Sequence, residues 1–400
     1  MTQSPPILAM PFAAAEVRHD RTIRRDQALR VLMVTPRYFP YLGGVESHVH
    51  EVARRLAAQG LELTILTTDP TGQLPAEEIR EEVVIRRVRA WPAQRDYYFA
   101  PGLRHVIKQG TWDVVHIQSY HTLVAPLAMW AAWQARLPYV VTFHGGGHSS
   151  RLRKAGRGMQ WALLRPLLAR AKRLVAIAQF EVDFWGSRLG LPADRFVFIP
   201  NGADLPAPST SPQTVTHAHT RIASIGRLEH YKGHHRLLAA LPVILAQRPD
   251  VRLWIAGVGP YEAELKHLAE TLQVTDQVEI RAVPASERAK MAEELMQTSL
   301  VVLLSEYETH PVAVLEALAL RRPVLVAATS GLQELAQKGW GRAIPLNSTP
   351  QQVAAAVLEQ LENPLIPPPL ALPTWDECAH QLGELYHEVA HKAVYAVHES

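Results

Sequence analysis

Two glutamates, Glu308 and Glu316, have the spacing and the setting of a ligand-binding pair. Glu308 follows the apolar run 300–304 and a polar turn, and Glu316 lies about one turn into 312–318, which has helical spacing. Because helix residues repeat every ~3.6 positions, both carboxylates and the helix start can face one ligand beyond the carboxyl end of the strand. Such a site suits an anion flanked by hydroxyl groups. The competing interpretation is that both acids only favour the helix start and contact solvent.

The same motif carries a family resemblance. Two glutamates separated by seven residues, preceded by Ser305 and followed by Ala317, resemble the signature of the family 4 retaining glycosyltransferases of GT-B fold. The resemblance implies that Glu308 is a catalytic residue beside the donor sugar and that Glu316 holds the nucleotide ribose. The other donor-binding positions that it implies are Thr309, His310, Pro311, Val312 and Leu315. His310 is a departure from the family pattern, which usually has an aromatic residue at this position.

Two cations, Arg227 and Lys232, follow the predicted strand 221–225. A planar guanidinium and a compact ammonium group at this spacing can hold a diphosphate from two sides, whereas solvated residues in a turn are the competing interpretation. The string Gly-Arg, four residues, Lys-Gly is similar to the diphosphate motif of the family. The resemblance implies that both cations are catalytic and stabilise the leaving nucleotide diphosphate by charge. Because the sequence contains no Asp-x-Asp, we expect no metal and no cofactor.

His144 follows the apolar strand 139–143 and precedes a glycine run. A polar side chain at the carboxyl end of a buried strand is placed for ligand contact, although residue type alone favours a structural histidine. The string Thr-Phe-His-Gly is similar to the strand end where the family has a histidine that reaches the donor sugar. The resemblance therefore implies a catalytic role for His144.

Main-chain groups at two other places complete the expected donor site. Gly43 and Gly44 open the helix predicted for 45–56, where amides without a neighbouring Cβ can approach a phosphate, although an ordinary turn is the competing interpretation. The resemblance implies donor-phosphate and acceptor contacts at both glycines. It also places the nucleotide base at Ala282 and Val283, at the end of the strand predicted for 277–282.

The resemblance implies a retaining hexosyltransferase that moves mannose or glucose from a nucleotide sugar to a hydroxyl group of a glycan or a lipid-linked acceptor. GDP-mannose and UDP-glucose are the leading donors. A catalytically silent sugar-binding subunit of a glycan assembly complex is the alternative, for which His310 is the hint. A nicotinamide dehydrogenase is less consistent with the sequence, because no Gly-x-Gly-x-x-Gly follows a strand.

The segment 151–173 is basic and partly amphipathic. No acidic residue occurs between Gly145 and Phe180, and leucines and Trp161 alternate with eight arginines and lysines. Such a helix can lie on anionic lipid headgroups, or its apolar side can meet the protein's own core, which is the favoured interpretation. The eight cations are Arg151, Arg153, Lys154, Arg157, Arg165, Arg170, Lys172 and Arg173.

Alternating strands and helices predict an α/β protein with two doubly wound, Rossmann-like domains. We expect a flexible lead-in at 1–28, an acceptor-binding domain at 29–206, a linker at 207–220 and a nucleotide-sugar-binding domain at 221–374. The resemblance implies that the two domains face each other across a cleft. It also implies that the helix at 375–400 crosses back to the N-terminal domain.

Length and composition limit the number of domains, the kinds of partner and the cellular compartment that the sequence allows. With 400 residues and 48% hydrophobic content, the chain is large enough for two cores. The formal net charge of +3 gives little reason to expect a nucleic acid partner. A single cysteine, Cys378, fits a reducing compartment, and no apolar run reaches the length of a membrane span. We therefore expect a cytoplasmic protein without a signal peptide, with peripheral contact at the inner membrane face left open.

Overall fold

The computed structural model describes residues 28–41, 43–92, 99–145, 151–203, 205, 219–284, 287–370 and 372–398. Almost all of the predicted lead-in and most of the predicted linker 207–220 lie outside these residues. Within them, two sheets and twelve α-helices form two Rossmann-like domains, as the sequence predicted. No helix of the described residues has the length and apolar content needed to cross a membrane.

The first sheet belongs to the N-terminal domain and has the order β3-β4-β2-β1-β5-β6-β7-β8. All of its pairings are parallel except the antiparallel pair at the β3 edge. Its strands are β1 (Arg30–Val34), β2 (Glu62–Asp69), β3 (Glu77–Arg80), β4 (Val83–Arg89), β5 (Val114–Gln118), β6 (Tyr139–Thr142), β7 (Arg173–Ala176) and β8 (Phe196–Phe198).

The second sheet is entirely parallel and has the order β11-β10-β9-β12-β13-β14. Numbered from its own first strand, this order is 3-2-1-4-5-6, that of a dinucleotide-binding fold. Its strands are β9 (Thr220–Ile225), β10 (Val251–Ala256), β11 (Val278–Ile280), β12 (Leu300–Leu303), β13 (Val324–Ala327) and β14 (Arg342–Ile344). The central strands β12 and β13 are apolar and buried along their whole length, as strands covered on both faces must be.

Helices cover the sheets and bury an apolar side against them. The helices of the N-terminal half are α1 (Gly44–Ala58), α2 (Gly102–Gln109), α3 (Val124–Gln134), α4 (Arg151–Leu168) and α5 (Gln179–Leu189). The remaining helices are α6 (His234–Gln247), α7 (Glu262–Thr271), α8 (Arg288–Met296), α9 (Val312–Ala319), α10 (Ser330–Gln337), α11 (Pro350–Glu362) and α12 (Trp375–His398).

The last helix, α12, returns to the N-terminal domain and packs on α1. Leu382 and Tyr386 of α12 are buried in the same apolar cluster as Val49 and Leu56 of α1. The predicted crossing helix is therefore present. Its packing ties the end of the chain to the first sheet and leaves the carboxyl edges of both sheets to face each other.

Candidate functional site

The order of the second sheet places two loops side by side. The chain leaves β9 toward one side of the sheet and β12 toward the other, and a crevice forms beyond the carboxyl ends of these neighbouring strands. Gly233 lets the loop after β9 approach β12, because its φ is +77° and a Cβ would overlap the carbonyl oxygen of Leu304. The loops that carry Lys232 and Glu308 therefore meet at this crevice.

Lys232 and Glu308 form an ion pair, with 2.6 Å between Nζ and Oε1. Both side chains are largely shielded, and the hydroxyl group of Ser305 donates to the same carboxylate oxygen at 2.7 Å. Burial by itself would lower the pKa of Lys232, but the adjacent Glu308 carboxylate outweighs it and the pKa is raised. The site therefore holds a charged ammonium group at the mouth of the C-terminal sheet.

Arg227, the second predicted cation, lies in the same loop but does not join this pair. Its guanidinium bonds to the carboxylate of Glu229 at 3.0 Å, and its side chain is 45% exposed. The structure therefore brings Lys232 to Glu308 and leaves Arg227 at the solvent-facing edge of the site. A ligand diphosphate would compete with Glu229 for the guanidinium.

Glu316 lies on the buried face of α9 and forms an ion pair with Arg288. Arg288 is the first residue of α8, which follows the predicted base-binding residues Ala282 and Val283. The pair therefore links the predicted ribose contact to the segment predicted to hold the base. Sequence analysis missed Arg288, because nothing in its local pattern marks it as the partner of a glutamate on another helix.

The first two residues of α10 fix Glu308 in place. The hydroxyl group of Ser330 accepts from the amide of Glu308 at 2.8 Å, and the amide of Gly331 donates to the carbonyl oxygen of Glu308 at 2.9 Å. A Cβ on Gly331 would overlap the carbonyl oxygen of Thr309, so only glycine fits this close approach. Further along α10, Glu334 accepts a 2.7 Å hydrogen bond from the amide of Phe180 in the N-terminal domain. Sequence analysis assigned no role to these residues.

The residues after Glu308 contact the N-terminal domain. The hydroxyl group of Thr309 donates to the carbonyl oxygen of Gly145, and His310 lies near the backbone of Asn201 and Ile177, where its Nε2 is buried and makes no hydrogen bond within the described residues. Burial lowers the pKa of His310 to about 4 and keeps its ring neutral. The imidazole that replaces the usual aromatic ring is thus a neutral, buried ring at the contact between the domains, and Thr309 beside it makes the hydrogen bond across that contact.

The other donor-site positions of this motif lie at the start of α9. Pro311 immediately precedes the helix, Val312 is its first residue, and Leu315 is buried beside Glu316. Because Pro311 has no N–H group, the first free amide of the helix comes from Val312. These residues shape the helix start that faces the crevice.

His144 lies in the N-terminal domain just beyond the end of β6, with a φ of +44°. Its Nε2 donates to the side-chain oxygen of Gln118 at 2.6 Å, and its carbonyl oxygen accepts from Nε2 of His121 at 3.2 Å. Burial, together with the nearby His48, lowers its pKa well below the usual value. His144 is therefore a neutral imidazole whose Nε2–H is engaged. Gln118 ends a buried strand next to β6, a position that could have marked it from the sequence.

Gly145, which follows His144, is held within its own domain by a buried carboxyl group that sequence analysis missed. Glu181 of α5 accepts from the amide of Gly145 at 3.2 Å and from the amide of Ile177 at 3.0 Å. Burial raises the pKa of Glu181 to about 7. The carbonyl oxygen of Gly145 accepts from Thr309, so this one peptide segment is held from both domains.

Gly43 and Gly44 lie at the start of α1, as predicted, but a carboxylate is already present there. Glu46 is buried, lies against Gly43 and pairs with Arg37 at 3.4 Å. Burial raises the pKa of Glu46, and Arg37 opposes that rise. A phosphate at this helix start would have to share the amides with Glu46, so the predicted phosphate contact stays a prediction.

Comparisons with known proteins assign a family to each half of the chain. The model of Glycosyltransferase Family 4 matches residues 42–206, and the model of Glycosyl transferases group 1 matches residues 213–372. The D-inositol 3-phosphate glycosyltransferase of Thermobispora bispora is 28% identical over 80% of this chain and 82% of its own length. The GDP-mannose:cellobiosyl-diphosphopolyprenol alpha-mannosyltransferase of Xanthomonas oryzae is 27% identical over 73% of this chain and 76% of its own length.

A solved structure supports the fold. Sucrose-phosphate synthase from Thermosynechococcus elongatus superposes with a TM-score of 0.74 and 20% sequence identity, covering 90% of this chain and 99% of the other. The two family matches, the paired glutamates and the two facing sheets agree with one another. The chain therefore belongs to the family 4 glycosyltransferases of GT-B fold.

Proposed function

We propose that this glycosyltransferase moves a hexose, mannose or glucose, from a nucleotide diphosphate sugar to a hydroxyl acceptor, with retention of anomeric configuration. The observation that carries the proposal is the ion pair of Lys232 with Glu308 at the switch point of the C-terminal sheet. This pair puts one cation and one acid where a parallel sheet binds nucleotides.

Each end of the donor has a matching group. The ammonium group of Lys232 and the guanidinium of Arg227 suit the diphosphate, and the Glu316 carboxylate suits the two ribose hydroxyl groups. Glu308 accepts hydrogen bonds from sugar hydroxyl groups, and main-chain groups at Ala282 and Val283 face the base. His144 and the amides at 43–44 complete the site from the N-terminal domain, where the acceptor binds.

The reaction that fits these groups is a displacement on one face of the sugar. The bond from the anomeric carbon to the diphosphate oxygen breaks as the acceptor oxygen bonds to the same face, and the leaving phosphate takes the acceptor proton. Lys232 and Arg227 stabilise the negative charge that develops on the diphosphate. A covalent route would need a carboxylate close under the anomeric carbon. Glu308 instead pairs with Lys232 and accepts from Ser305, which supports its role as a sugar contact.

We propose GDP-mannose and UDP-glucose as the donors. We also propose that the reaction requires no metal and no cofactor. The name of the Xanthomonas oryzae relative gives GDP-mannose as its donor and a diphosphopolyprenol-linked glycan as its acceptor. We infer a glycan or lipid-linked acceptor for this chain on the same grounds. With such an acceptor, we propose a cytoplasmic enzyme that works at the inner membrane face.

Donor turnover tests the proposal. Purified protein is incubated with each nucleotide sugar, the release of nucleotide diphosphate is followed, and the anomeric configuration of the product is read by NMR. We expect release with a GDP- or UDP-hexose and an axial-to-axial outcome. An inverted product would refute the retaining mechanism. No release with any donor would favour the silent sugar-binding subunit.

A further inference from the structure

Three consecutive helices of the N-terminal domain, α2, α3 and α4, contain no acidic residue. The absence extends through the surrounding sequence, which has no Asp or Glu between Asp113 and Glu181 but has nine Arg and Lys. An ordinary protein surface mixes both signs of charge. This part of the molecule therefore carries a net positive charge, which is reduced at Arg173, where Glu388 of α12 forms an ion pair at 2.7 Å.

The three helices lie side by side on one face of the first sheet. They share an apolar cluster, to which α2 contributes Leu103, α3 contributes Met129, and α4 contributes Leu164 and Leu168. Because these residues point to the sheet, the opposite sides of the helices face outward together. The buried leucines of α4 thus pack in the protein's own core, as the favoured interpretation of 151–173 expected. Other apolar residues of the same helix are exposed to solvent.

Large apolar side chains stand on the outward side of α3 and α4. Trp133 is 48% exposed and Trp130 is 37% exposed on α3, while Leu163 is 73% exposed and Met159 is 70% exposed on α4. Isolated exposed leucines are ordinary, but an exposed group of two tryptophans and two aliphatic residues on adjacent helices is typical of an interaction surface. Tryptophan, like tyrosine, is enriched at the boundary between water and lipid.

Cations stand directly over both tryptophans. The guanidinium carbon of Arg104 lies 5.2 Å from the ring centre of Trp130, and that of Arg170 lies 5.0 Å from the ring centre of Trp133. Apolar rings under cations match a bilayer surface, where phosphates lie above the acyl chains. A two-fold contact with a second copy would instead place this positively charged patch against the same positively charged patch of the other copy.

We propose that the outward sides of α2, α3 and α4 form a docking surface for an anionic lipid bilayer, anchored by Trp130 and Trp133. The surface runs toward the candidate site, because Leu123, which is 49% exposed, precedes α3 and follows His121, the residue that bonds to the carbonyl oxygen of His144. A lipid-linked acceptor would thus enter from the docked side. This last step rests on the proposed function, whereas the docking itself does not.

Vesicle binding by the full-length protein tests the proposal. Vesicles of phosphatidylcholine alone are compared with vesicles that also contain phosphatidylglycerol, for the wild type, Trp133→Ala and Arg170→Glu. We expect binding only with phosphatidylglycerol, a loss of roughly tenfold for Trp133→Ala, and a loss of at least about fivefold for Arg170→Glu. Arg170→Lys keeps the charge and should bind nearly as well as the wild type.

Two matched controls lie outside the surface. Trp91 is 50% exposed, about as much as Trp133, and Lys338 lies 4.9 Å from the ring centre of Trp340 in the C-terminal domain. Trp91→Ala and Lys338→Glu should bind vesicles like the wild type. Thermal melting of every variant confirms that each is folded.

Equal binding to both kinds of vesicle, or undiminished binding by Trp133→Ala and Arg170→Glu, would overturn the proposal. Reversible self-association of the wild type in sedimentation experiments, lost in the same variants, would also overturn it by assigning the surface to a second copy. Nucleotide diphosphate release with a water-soluble acceptor should be unchanged in the surface variants. Failure of docking is therefore distinguishable from failure of the proposed activity.

Discussion

The ammonium group of Lys232 lies 2.6 Å from a carboxylate oxygen of Glu308, although 76 positions separate the two residues in the chain. The contact joins the loop after β9 to the loop after β12, and Ser305 and Ser330 hold the second loop by hydrogen bonds. The two charges neutralise each other in a shielded place. A donor that bonds to Lys232 through its diphosphate therefore finds the cation already positioned.

Lys232→Ala should reduce kcat by roughly tenfold or more, because the leaving diphosphate loses its shielded cation. It also leaves the Glu308 carboxylate without its ionic partner. Steady-state kinetics with saturating acceptor measure the effect. Lys266→Ala is the matched control, since Lys266 pairs with Glu262 on the exposed side of α7 and should have the rate of the wild type. An unchanged kcat for Lys232→Ala would refute the role of this lysine.

Glu316→Ala should raise the KM of the donor with a smaller effect on kcat, because a ribose contact is the same in the bound donor and in the transition state. Arg288→Ala should raise the same KM to a lesser degree, since Arg288 acts through Glu316. The double variant should be little worse than Glu316→Ala alone. Additive losses would show that Arg288 contacts the donor independently.

Gly331→Ala should lower both thermal stability and activity, because the added Cβ overlaps the carbonyl oxygen of Thr309 and displaces the loop that carries Glu308. We expect a loss of about 1–3 kcal/mol in the free energy of unfolding. Gly158→Ala is the matched control: this glycine lies within α4 and has open space where the Cβ would go. That control should be as stable as the wild type or slightly more stable. Equal melting temperatures for the two variants would contradict the close packing at Gly331.

The free energy of unfolding should fall as the pH is lowered from about 6.5 to about 4. Burial lowers the pKa of His48, His234 and His310 to about 4, so below the unfolded value of ~6.5 the unfolded chain takes up protons that the folded chain refuses. Glu181 and Glu46 have the opposite sign, because a raised carboxyl pKa favours the folded state at lower pH, but the buried imidazoles outnumber them. Denaturant titrations across this pH range measure the trend. Stability that is constant or rises on acidification would contradict the burial of these imidazoles.

The fold could be predicted from the sequence wherever apolar runs were long and uninterrupted. The strand predicted at 300–304 is observed as β12, and the helix predicted at 45–56 is observed as α1 with one or two more residues at each end. Two strands, β3 and β14, were not predicted. β3 is a polar edge strand of sequence EEIR, and β14 has only three residues, so neither has a hydrophobic period to detect.

Only those residues of the candidate site that belong to recognisable sequence motifs could be predicted. The motifs placed Lys232 and Glu308 in loops, and the strand order then brought them together. The partners Arg288 and Glu181 could not be predicted, because each depends on contacts between distant elements that no local spacing encodes. Gln118 differs, since it ends the buried strand β5, and a polar residue at the end of an apolar run can be noticed in the sequence.

The most direct test is the thermal stabilisation of the protein by nucleotide sugars, measured as the shift in Tm for the wild type, Lys232→Ala and Glu316→Ala. Specific ligands raise the apparent stability of the state that binds them. If the loops after β9 and β12 form one donor site, GDP-mannose or UDP-glucose will raise the Tm of the wild type, and each substitution will reduce or abolish the shift. A full shift retained in both variants would contradict the account.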